Sequence, residues 1–342
     1  MGYFHAAAHA AASGVSRRIG VLLVNLGTPD SPSYFAVQRY LREFLADRRV
    51  IDTPRALWLP LLYGVVLPFR PFKTARNYRK IWLPEGSPLA VYTQRLAAKI
   101  DASLQHSFGG RVQMQLAMTY GSPSVDSAIR SFAQQGIDQL LVLPLYPHYC
   151  SSTTGSVFDA THRGLRRWRW LPEIRFVNDY HADPGYIEAV STQIRQHWAA
   201  MGERSHLVFS YHGIPASYVA HGDPYQHQAE ETTRLVAAQL GLSHGEWSHC
   251  YQSRFGRVEW LKPYTLDTLR DLASRGIRKV DVASPSFAVD CLETLEEVAI
   301  AYRDKFLELG GERLSLVPGL NDQPQHVAAL GALIKNRLQG WV

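Results

Sequence analysis

The chain has 342 residues, of which 46% are hydrophobic and 19% charged, and its formal net charge is +6. This composition is typical of a globular protein and excludes a disordered one, and the length favours two domains over a single core. The mild positive charge suits an anionic small molecule or a membrane surface, but it is not the dense basic stripe of a nucleic-acid-binding protein.

The first 17 residues are predicted to form a flexible tail. Residues 1–16 (MGYFHAAAHAAASGVS) are rich in alanine, have no basic start and lack the apolar core of a signal peptide. The three cysteines, Cys150, Cys250 and Cys291, lie far apart and form no Cys-x-x-Cys pair, which indicates neither a zinc ribbon nor a disulfide framework. We therefore expect a reducing, cytoplasmic location.

Strand-like apolar runs alternate with helical patterns along the rest of the chain. This alternation predicts an α/β fold with parallel sheets covered by helices. Strands are predicted at residues 19–26, 112–118, 139–143, 174–177, 206–211, 279–283 and 314–317. Helices are predicted from about Ser33 and at residues 94–104, 186–199, 228–240 and 292–309.

Residues 56–69 (ALWLPLLYGVVLPF) form the most apolar stretch after the first strand. The stretch is too short to cross a bilayer and contains two prolines. We expect an apolar lip that could touch a membrane peripherally.

Two short segments hint at an internal repeat. Residues 119–123 (TYGSP) and 210–215 (SYHGIP) both follow a strand and precede a loop. The likeness predicts two similar domains, residues 18–190 and 191–342, with a final helix that could return to the N-terminal domain. In such sheets ligands bind beyond the carboxyl ends of the strands. No G-x-G-x-x-G or G-x-x-x-x-G-K-[ST] motif occurs, which disfavours nucleotide binding.

His212 is the first candidate for chemistry, because it directly follows a buried strand and precedes a glycine. An imidazole there could act as a base or a metal ligand. A histidine that merely caps a loop is the plainer alternative.

The second candidate is Glu293, in the run 290–297 (DCLETLEE). Glu293 and Glu297 are four residues apart and would share a helix face, so they could pass on a proton or a hydrated cation. Alternatively, Asp290 is the N-cap and Glu293 completes a capping box, a purely structural role.

The ordered set of motifs resembles the ferrochelatases over about residues 19–335. The matching segments are 25–29 (NLGTP), 86–89 (GSPL), 120–123 (YGSP), 145–147 (LYP), 152–155 (STTG), 210–215 (SYHGIP), 222–225 (GDPY), 252–256 (QSRFG) and 290–297. The resemblance implies two similar Rossmann-like, chelatase-like α/β domains with the active-site cleft between them. It implies a lyase that inserts Fe²⁺, its substrate, into protoporphyrin IX, the last step of haem synthesis.

The resemblance also implies roles for residues. His212 and Glu293 would be catalytic and would contact the metal, and Glu297 would belong to a proton or metal relay. Porphyrin-binding positions would be Leu26, Arg70, Lys73, Tyr78, Ser87, Tyr120, Tyr146 and Cys150. For any single basic residue among residues 70–79, a position on an exposed helix face is the simpler alternative to substrate binding.

The sequence departs from parts of the family. Leu26 replaces a Met or Tyr of other members, so it cannot be a metal ligand, and Thr119 stands where animal members have Arg. No cysteine follows Cys291, so we expect no iron–sulfur cluster. The porphyrin is the expected partner, with no nucleic acid, in a monomer or homodimer. A cobalt or nickel chelatase and a haem carrier are the alternatives.

Overall fold

The computed structural model describes residues 3–4, 17–256 and 258–342. The predicted tail, residues 1–17, therefore lies outside the described residues except at positions 3, 4 and 17. Within the described part of the chain the strands are β1 (Ile19–Asn25), β2 (Val112–Met118), β3 (Gln139–Pro144), β4 (Glu173–Phe176), β5 (His206–His212), β6 (Trp247–Gln252), β7 (Lys279–Ala283) and β8 (Arg313–Leu316).

The helices alternate with these strands. The α-helices are α1 (Tyr34–Leu45), α2 (Arg55–Leu61), α3 (Leu67–Ile81), α4 (Pro88–Phe108), α5 (Val125–Gln134), α6 (Ser156–Leu165), α7 (Pro184–Met201), α8 (Ala216–Ala220), α9 (Tyr225–Gln239), α10 (Thr265–Ser274), α11 (Arg303–Glu308) and α12 (Pro324–Arg337). Among the residues that the structure describes, three segments are π-helical: Leu62–Val66, Ser151–Gly155 and Glu293–Tyr302.

The strands form two four-stranded parallel sheets with the same topology. The first has the order β2-β1-β3-β4 and the second the order β6-β5-β7-β8. All seven residues of β1 are buried, as expected for a continuous apolar run in a central strand. The prediction of two similar α/β domains with helix-flanked parallel sheets is confirmed.

One strand, β6, was absent from the predicted set. Its sequence, WSHCYQ, contains no apolar run, and only its last three residues are buried. It lies at the edge of the second sheet, where a strand needs fewer apolar side chains than a central one.

The predicted internal repeat exists, but the two segments chosen for it do not correspond. Residues 119–123 follow the edge strand β2, whereas residues 210–215 overlap the end of the central strand β5. The equivalent of β2 is β6: the amide of Met118 bonds to Pro123 O (2.6 Å), and that of Tyr251 bonds to Pro263 O (2.8 Å). Local sequence likeness therefore paired the wrong strands.

The chain divides into two compact units. The first contains residues 1–146, 151–179 and 330–342, and the second contains residues 147–150 and 180–329. The predicted domain bounds, with a change at residues 190–191, stay a prediction. Each unit has its own apolar core, centred on residues such as Phe132 and Val142 in the first and Val280 and Phe306 in the second.

The apolar lip, residues 56–69, lies in the first unit. It runs through α2, the π-helical segment Leu62–Val66 and the start of α3. Leu57 and Phe69 are each 69% exposed, although apolar side chains of this size are usually buried. No helix among the described residues has the length and apolarity needed to cross a bilayer.

Candidate active site

His212 is the last residue of β5, at the carboxyl end of the central strand of the second sheet. Its Nδ1 lies 2.6 Å from the carbonyl oxygen of Gly213. Because a carbonyl oxygen can only accept a hydrogen bond, Nδ1 must carry the proton. In the neutral ring the lone pair is then on Nε2, which is the arrangement that a base or a metal ligand requires.

The surroundings of His212 hold its ring in place. Its backbone amide donates to Ser286 Oγ (3.3 Å), and the rings of Trp260 and Phe287 each lie with their centroids 6.3 Å from the imidazole. At Gly213, an added Cβ would lie 2.9 Å from the carbonyl oxygen of Gln252, so this position needs glycine.

Gln252, at the end of β6, connects the two candidate catalytic residues, His212 and Glu293. It is paired with His212 in the β5–β6 register and is 1% exposed. Its Oε1 accepts from Ser210 Oγ (2.8 Å), and its Nε2 donates to the carbonyl oxygen of Glu293 (2.9 Å). The sequence alone predicts no role for Gln252, because β6 has no apolar run that would mark it as a strand; the place of Gln252 in the segment QSRFG is the one available signal.

Glu293 opens the π-helical segment Glu293–Tyr302 and is half-buried. Burial raises the pKa of the neighbouring Cys291 thiol, and the Glu293 carboxylate beside it raises that pKa further. The thiol is therefore protonated and can donate to the carboxylate. π-Helical geometry is rare and occurs frequently at functional sites.

The capping box considered for this helix is wrong. Leu292 is already helical, and the Asp290 amide, which a capping box would pair with the Glu293 side chain, donates instead to Asn321 Oδ1 (2.8 Å). Asp290 instead accepts hydrogen bonds from the Thr294 hydroxyl (2.9 Å), the Gly319 amide (3.1 Å) and the Asn321 side chain (2.7 Å). Asp290 thus anchors the loop before the helix, and the Glu293 side chain is not needed as a cap.

Glu297 lies one helical turn beyond Glu293 and is also half-buried. Its Oε1 accepts from the Ser253 amide (3.0 Å) and the Tyr302 hydroxyl (2.7 Å), and its Oε2 accepts from Ser253 Oγ (2.5 Å). Burial, and then the Glu297 charge, raise the pKa of Tyr302, so its phenol stays protonated and donates. Three donors thereby fix the orientation of this carboxylate.

Comparison with known proteins identifies the family. A family model described as ferrochelatase matches residues 18–338. The chain belongs to the ferrochelatase family. It is 48% identical over 324 residues to the ferrochelatase of Pseudoalteromonas atlantica, covering 95% of this chain and 90% of that protein. It is 45% identical over 327 residues to "Ferrochelatase 1" of Shewanella oneidensis, covering 96% and 98%.

Solved chelatase structures share the fold. SirB from Bacillus subtilis with Fe³⁺ has a TM-score of 0.58 at 12% identity, covering 94% of this chain and 96% of that one. CbiX, described as the terminal enzyme of sirohaem biosynthesis in denitrifying bacteria, has a TM-score of 0.53 at 17% identity, covering 94% and 100%. At such identities the likeness shows the fold alone.

Family membership settles the reaction class. Ferrochelatases are lyases of haem and porphyrin biosynthesis that insert ferrous iron, their substrate, into protoporphyrin to give protohaem, and this chain is an enzyme of that class. The expected fold, family and activity are therefore confirmed.

Three tyrosines predicted to bind porphyrin lie in the first unit. The Tyr120 hydroxyl donates to Asp47 Oδ2 (2.8 Å), and its ring packs edge-on against Phe44 at 5.3 Å. Tyr78 is buried against Trp82 at 5.8 Å, and Tyr146 packs against the apolar core of the unit. Their porphyrin-binding role stays a prediction.

The other predicted pocket residues differ in exposure. Ser87 is buried and caps α4, since its Oγ accepts from the Ala90 amide (3.2 Å). Leu26 follows β1 and is half-buried; on α3, Arg70 is half-buried and Lys73 is exposed. Cys150 is a buried thiol of the second unit. Ser87 therefore has a structural role as a helix cap, and the sequence pattern alone does not distinguish this role from substrate binding.

Proposed function

We propose that this chain inserts Fe²⁺ into protoporphyrin IX with His212 and Glu293 as its catalytic residues and metal contacts. The observation that carries the proposal is the hydrogen bond from His212 Nδ1 to Gly213 O, which puts the imidazole lone pair on Nε2. Gln252 supports it, because its side chain joins the strand end that carries His212 to the backbone of Glu293.

The reaction needs groups of this kind. A free porphyrin carries two N–H protons where the metal must bind, so Fe²⁺ and the porphyrin give protohaem and two H⁺. His212 Nε2 can take a proton or guide the metal, and the Glu293 carboxylate can do the other. Binding that favours a bent ring over a flat one exposes the nitrogen lone pairs. Coordination by His212 and Glu293 would be transient, since a tight site would trap the iron.

Glu297 is proposed as the next group of a proton or metal relay. Its carboxylate lies four residues after Glu293 on one helix, and residues at this spacing are neighbours. The three hydrogen bonds that hold it favour one fixed orientation.

Porphyrin binding is proposed for Leu26, Tyr78, Tyr120, Tyr146 and Cys150, and propionate binding for Arg70, Lys73 and Ser87. Cationic side chains beside apolar surface suit a flat apolar ring with carboxylate edges. A Lys73→Glu variant should raise the KM for protoporphyrin and leave the KM for iron unchanged. A Lys335→Glu variant, on α12, is the control.

We further propose a cytoplasmic enzyme, monomer or homodimer, that contacts a membrane peripherally through residues 56–69. The exposed Leu57 and Phe69 side chains support this contact. We propose that the protein has no iron–sulfur cluster, because no cysteine follows Cys291 to build one in the place usual for the family. Iron and acid-labile sulfide analysis of the purified protein tests that point.

The decisive experiment is anaerobic incubation of the purified protein with protoporphyrin IX and Fe²⁺, following the absorption change to haem. The wild type should turn over, and His212→Ala should bind porphyrin without inserting iron. Turnover with Co²⁺ or Ni²⁺ and another tetrapyrrole, but not with this pair, would overturn the substrate assignment. Tight haem binding without insertion would indicate a carrier.

A further inference from the structure

Ser253 has an unusual backbone conformation directly after β6. Its φ is +63°, and among the described residues the only other non-glycine residue at positive φ is Asn321. Asparagine tolerates the left-handed region because its short amide can bond locally, whereas for serine the Cβ clash is not relieved in this way. Glycine would be the ordinary choice at such a position.

The left-handed turn brings two donors of Ser253 to one carboxylate. The amide donates to Glu297 Oε1 (3.0 Å), and the hydroxyl donates to Glu297 Oε2 (2.5 Å). Each carboxylate oxygen thus receives one hydrogen bond from the same residue. Glycine at this position would relieve the strain but lose the bond to Oε2.

The residue before Ser253, at the end of β6, contacts both candidate catalytic residues. Gln252, its neighbour, pairs with His212 in the sheet and bonds to the backbone of Glu293. One dipeptide at the end of β6 therefore contacts both acidic residues of the π-helical segment, Gln252 through the Glu293 carbonyl and Ser253 through the Glu297 carboxylate. Strained residues persist mainly where the surrounding structure and the function require them.

We propose that Ser253 is a positioning residue for iron insertion, which fixes the Glu297 carboxylate on the helix face that also carries Glu293. The proposal rests on the relay role of Glu297 given under the proposed function. The Ser253 hydroxyl takes no part in the chemistry. It determines where the Glu297 carboxylate is held.

Two variants separate the hydroxyl from the strain. Ser253→Ala removes the bond to Oε2 and keeps the strained Cβ, while Ser253→Gly removes the same bond and relieves the strain. Both should lower kcat/KM for Fe²⁺ by on the order of tenfold, the size expected for a charge-assisted hydrogen bond. The KM for protoporphyrin should not change, and Ser253→Thr, which keeps the hydroxyl, should retain insertion at a lower melting temperature. Ser274→Ala, an exposed serine on α10 with one hydroxyl bond to Asp271 O, is the matched control.

The outcomes distinguish this proposal from the relay itself. In a Glu297→Gln background, Ser253→Gly should cause no further loss, because the two residues act as one unit. Wild-type kcat/KM for Fe²⁺ in Ser253→Gly, or losses that add in full with Glu297→Gln, would overturn the positioning role. Full activity of Glu297→Gln would instead refute the relay assigned to Glu297, and the positioning role with it. Loss in Ser253→Ala with full recovery in Ser253→Gly would mean that only backbone strain matters, and would also overturn the proposal.

Discussion

Gln252 Nε2 donates a hydrogen bond to the carbonyl oxygen of Glu293 across 2.9 Å, while the backbone of Gln252 pairs with that of His212 in the sheet. A single buried side chain therefore links the strand that ends in the candidate base to the first residue of the π-helical segment. The positions of the imidazole and the acidic helix depend on each other through this amide.

The Gln252→Leu variant should lose both stability and activity. Leucine removes a hydrogen bond from the Ser210 hydroxyl, which keeps Thr265 Oγ1 as a partner (2.9 Å), and one from the Glu293 carbonyl, and losing such buried bonds costs about 1–3 kcal/mol. We expect the free energy of unfolding to fall by about that amount and kcat to fall more than tenfold, measured by denaturant titration and by the haem absorption assay.

Gln115→Leu is the control for that variant. Gln115 also makes a side-chain hydrogen bond, to Ser131 Oγ at 2.7 Å, but on β2 of the first unit. It should lose some stability and keep its turnover. Equal losses of kcat in the two variants would show that Gln252 acts through stability alone.

The His212→Ala variant should lose iron insertion by about 10²–10⁴-fold, the usual contribution of a positioned acid–base group. Protoporphyrin should still bind, because the ring is held mainly by apolar and charged contacts. Fluorescence titration measures binding, and the anaerobic assay measures insertion. The exposed His244, replaced by Ala, should have no effect; turnover near the wild-type rate in His212→Ala would refute its catalytic role.

Much of the fold follows from the sequence for one physical reason. Central parallel strands are buried on both faces, so β1, β3 and β5 appear as apolar runs. The strands β2 and β7 have the bounds that the sequence predicts. The edge strand β6 has no such pattern and was missed. The π-helical geometry of residues 293–302 was also outside prediction, because its apolar spacing fits an ordinary helix.

For the site, the sequence supplied the reactive residues but not the residues that hold them. His212 and Glu293 are visible because imidazole and carboxylate groups suggest chemistry. Gln252 and Ser253 could not be assigned, since their roles depend on a β6 register and a left-handed turn that no residue pattern reports. The capping box failed for the same reason, because Asp290 bonds to residues 319 and 321, distant in the chain.

Glu293→Gln and Asp290→Ala should separate catalysis from anchoring. Glu293→Gln should lower kcat by at least 10²-fold with little change in stability, because its side chain does not cap the helix. Asp290→Ala removes the carboxylate that accepts from three donors, of which Thr294 keeps a bond to Cys291 O (3.3 Å), and should cost roughly 2–4 kcal/mol of stability. Denaturant unfolding measures the free energy of unfolding of each variant, and the insertion assay measures its kcat. A Glu293→Gln variant that is less stable but fully active would show that Glu293 stabilises the start of the helix and is not catalytic.

The double variant Leu57→Ser/Phe69→Ser should weaken membrane contact. Each side chain is 69% exposed, and burying a side chain of this size in an apolar phase is worth about 1.5–3 kcal/mol. Co-sedimentation with vesicles that contain phosphatidylglycerol should fall at least tenfold, while activity on detergent-dispersed porphyrin is unchanged. Val258→Ser, 58% exposed and outside the lip, is the control. Undiminished sedimentation of the double variant would exclude residues 56–69 as the contact.

Acid should destabilise the second unit through His326. This side chain is fully buried on α12, and its Nδ1 donates to Asn321 O (2.7 Å). Burial lowers the pKa of His326 from 6.5 to about 4, against a smaller opposing effect of that hydrogen bond. The unfolded chain therefore binds a proton near pH 6.5 while the folded protein does not. The stabilisation is complete above pH 6.5 and is lost as the pH falls towards 4, by roughly 3 kcal/mol.

The His326→Asn variant tests this account. Asparagine can keep the donor to Asn321 O and cannot titrate, so its free energy of unfolding should fall less steeply between pH 6.5 and 4 than that of the wild type. Denaturant titrations at half-unit pH steps measure the slope, and exposed His244→Ala should leave it unaltered. Parallel slopes for wild type and His326→Asn would mean that the buried imidazole is not the group that the unfolded chain protonates.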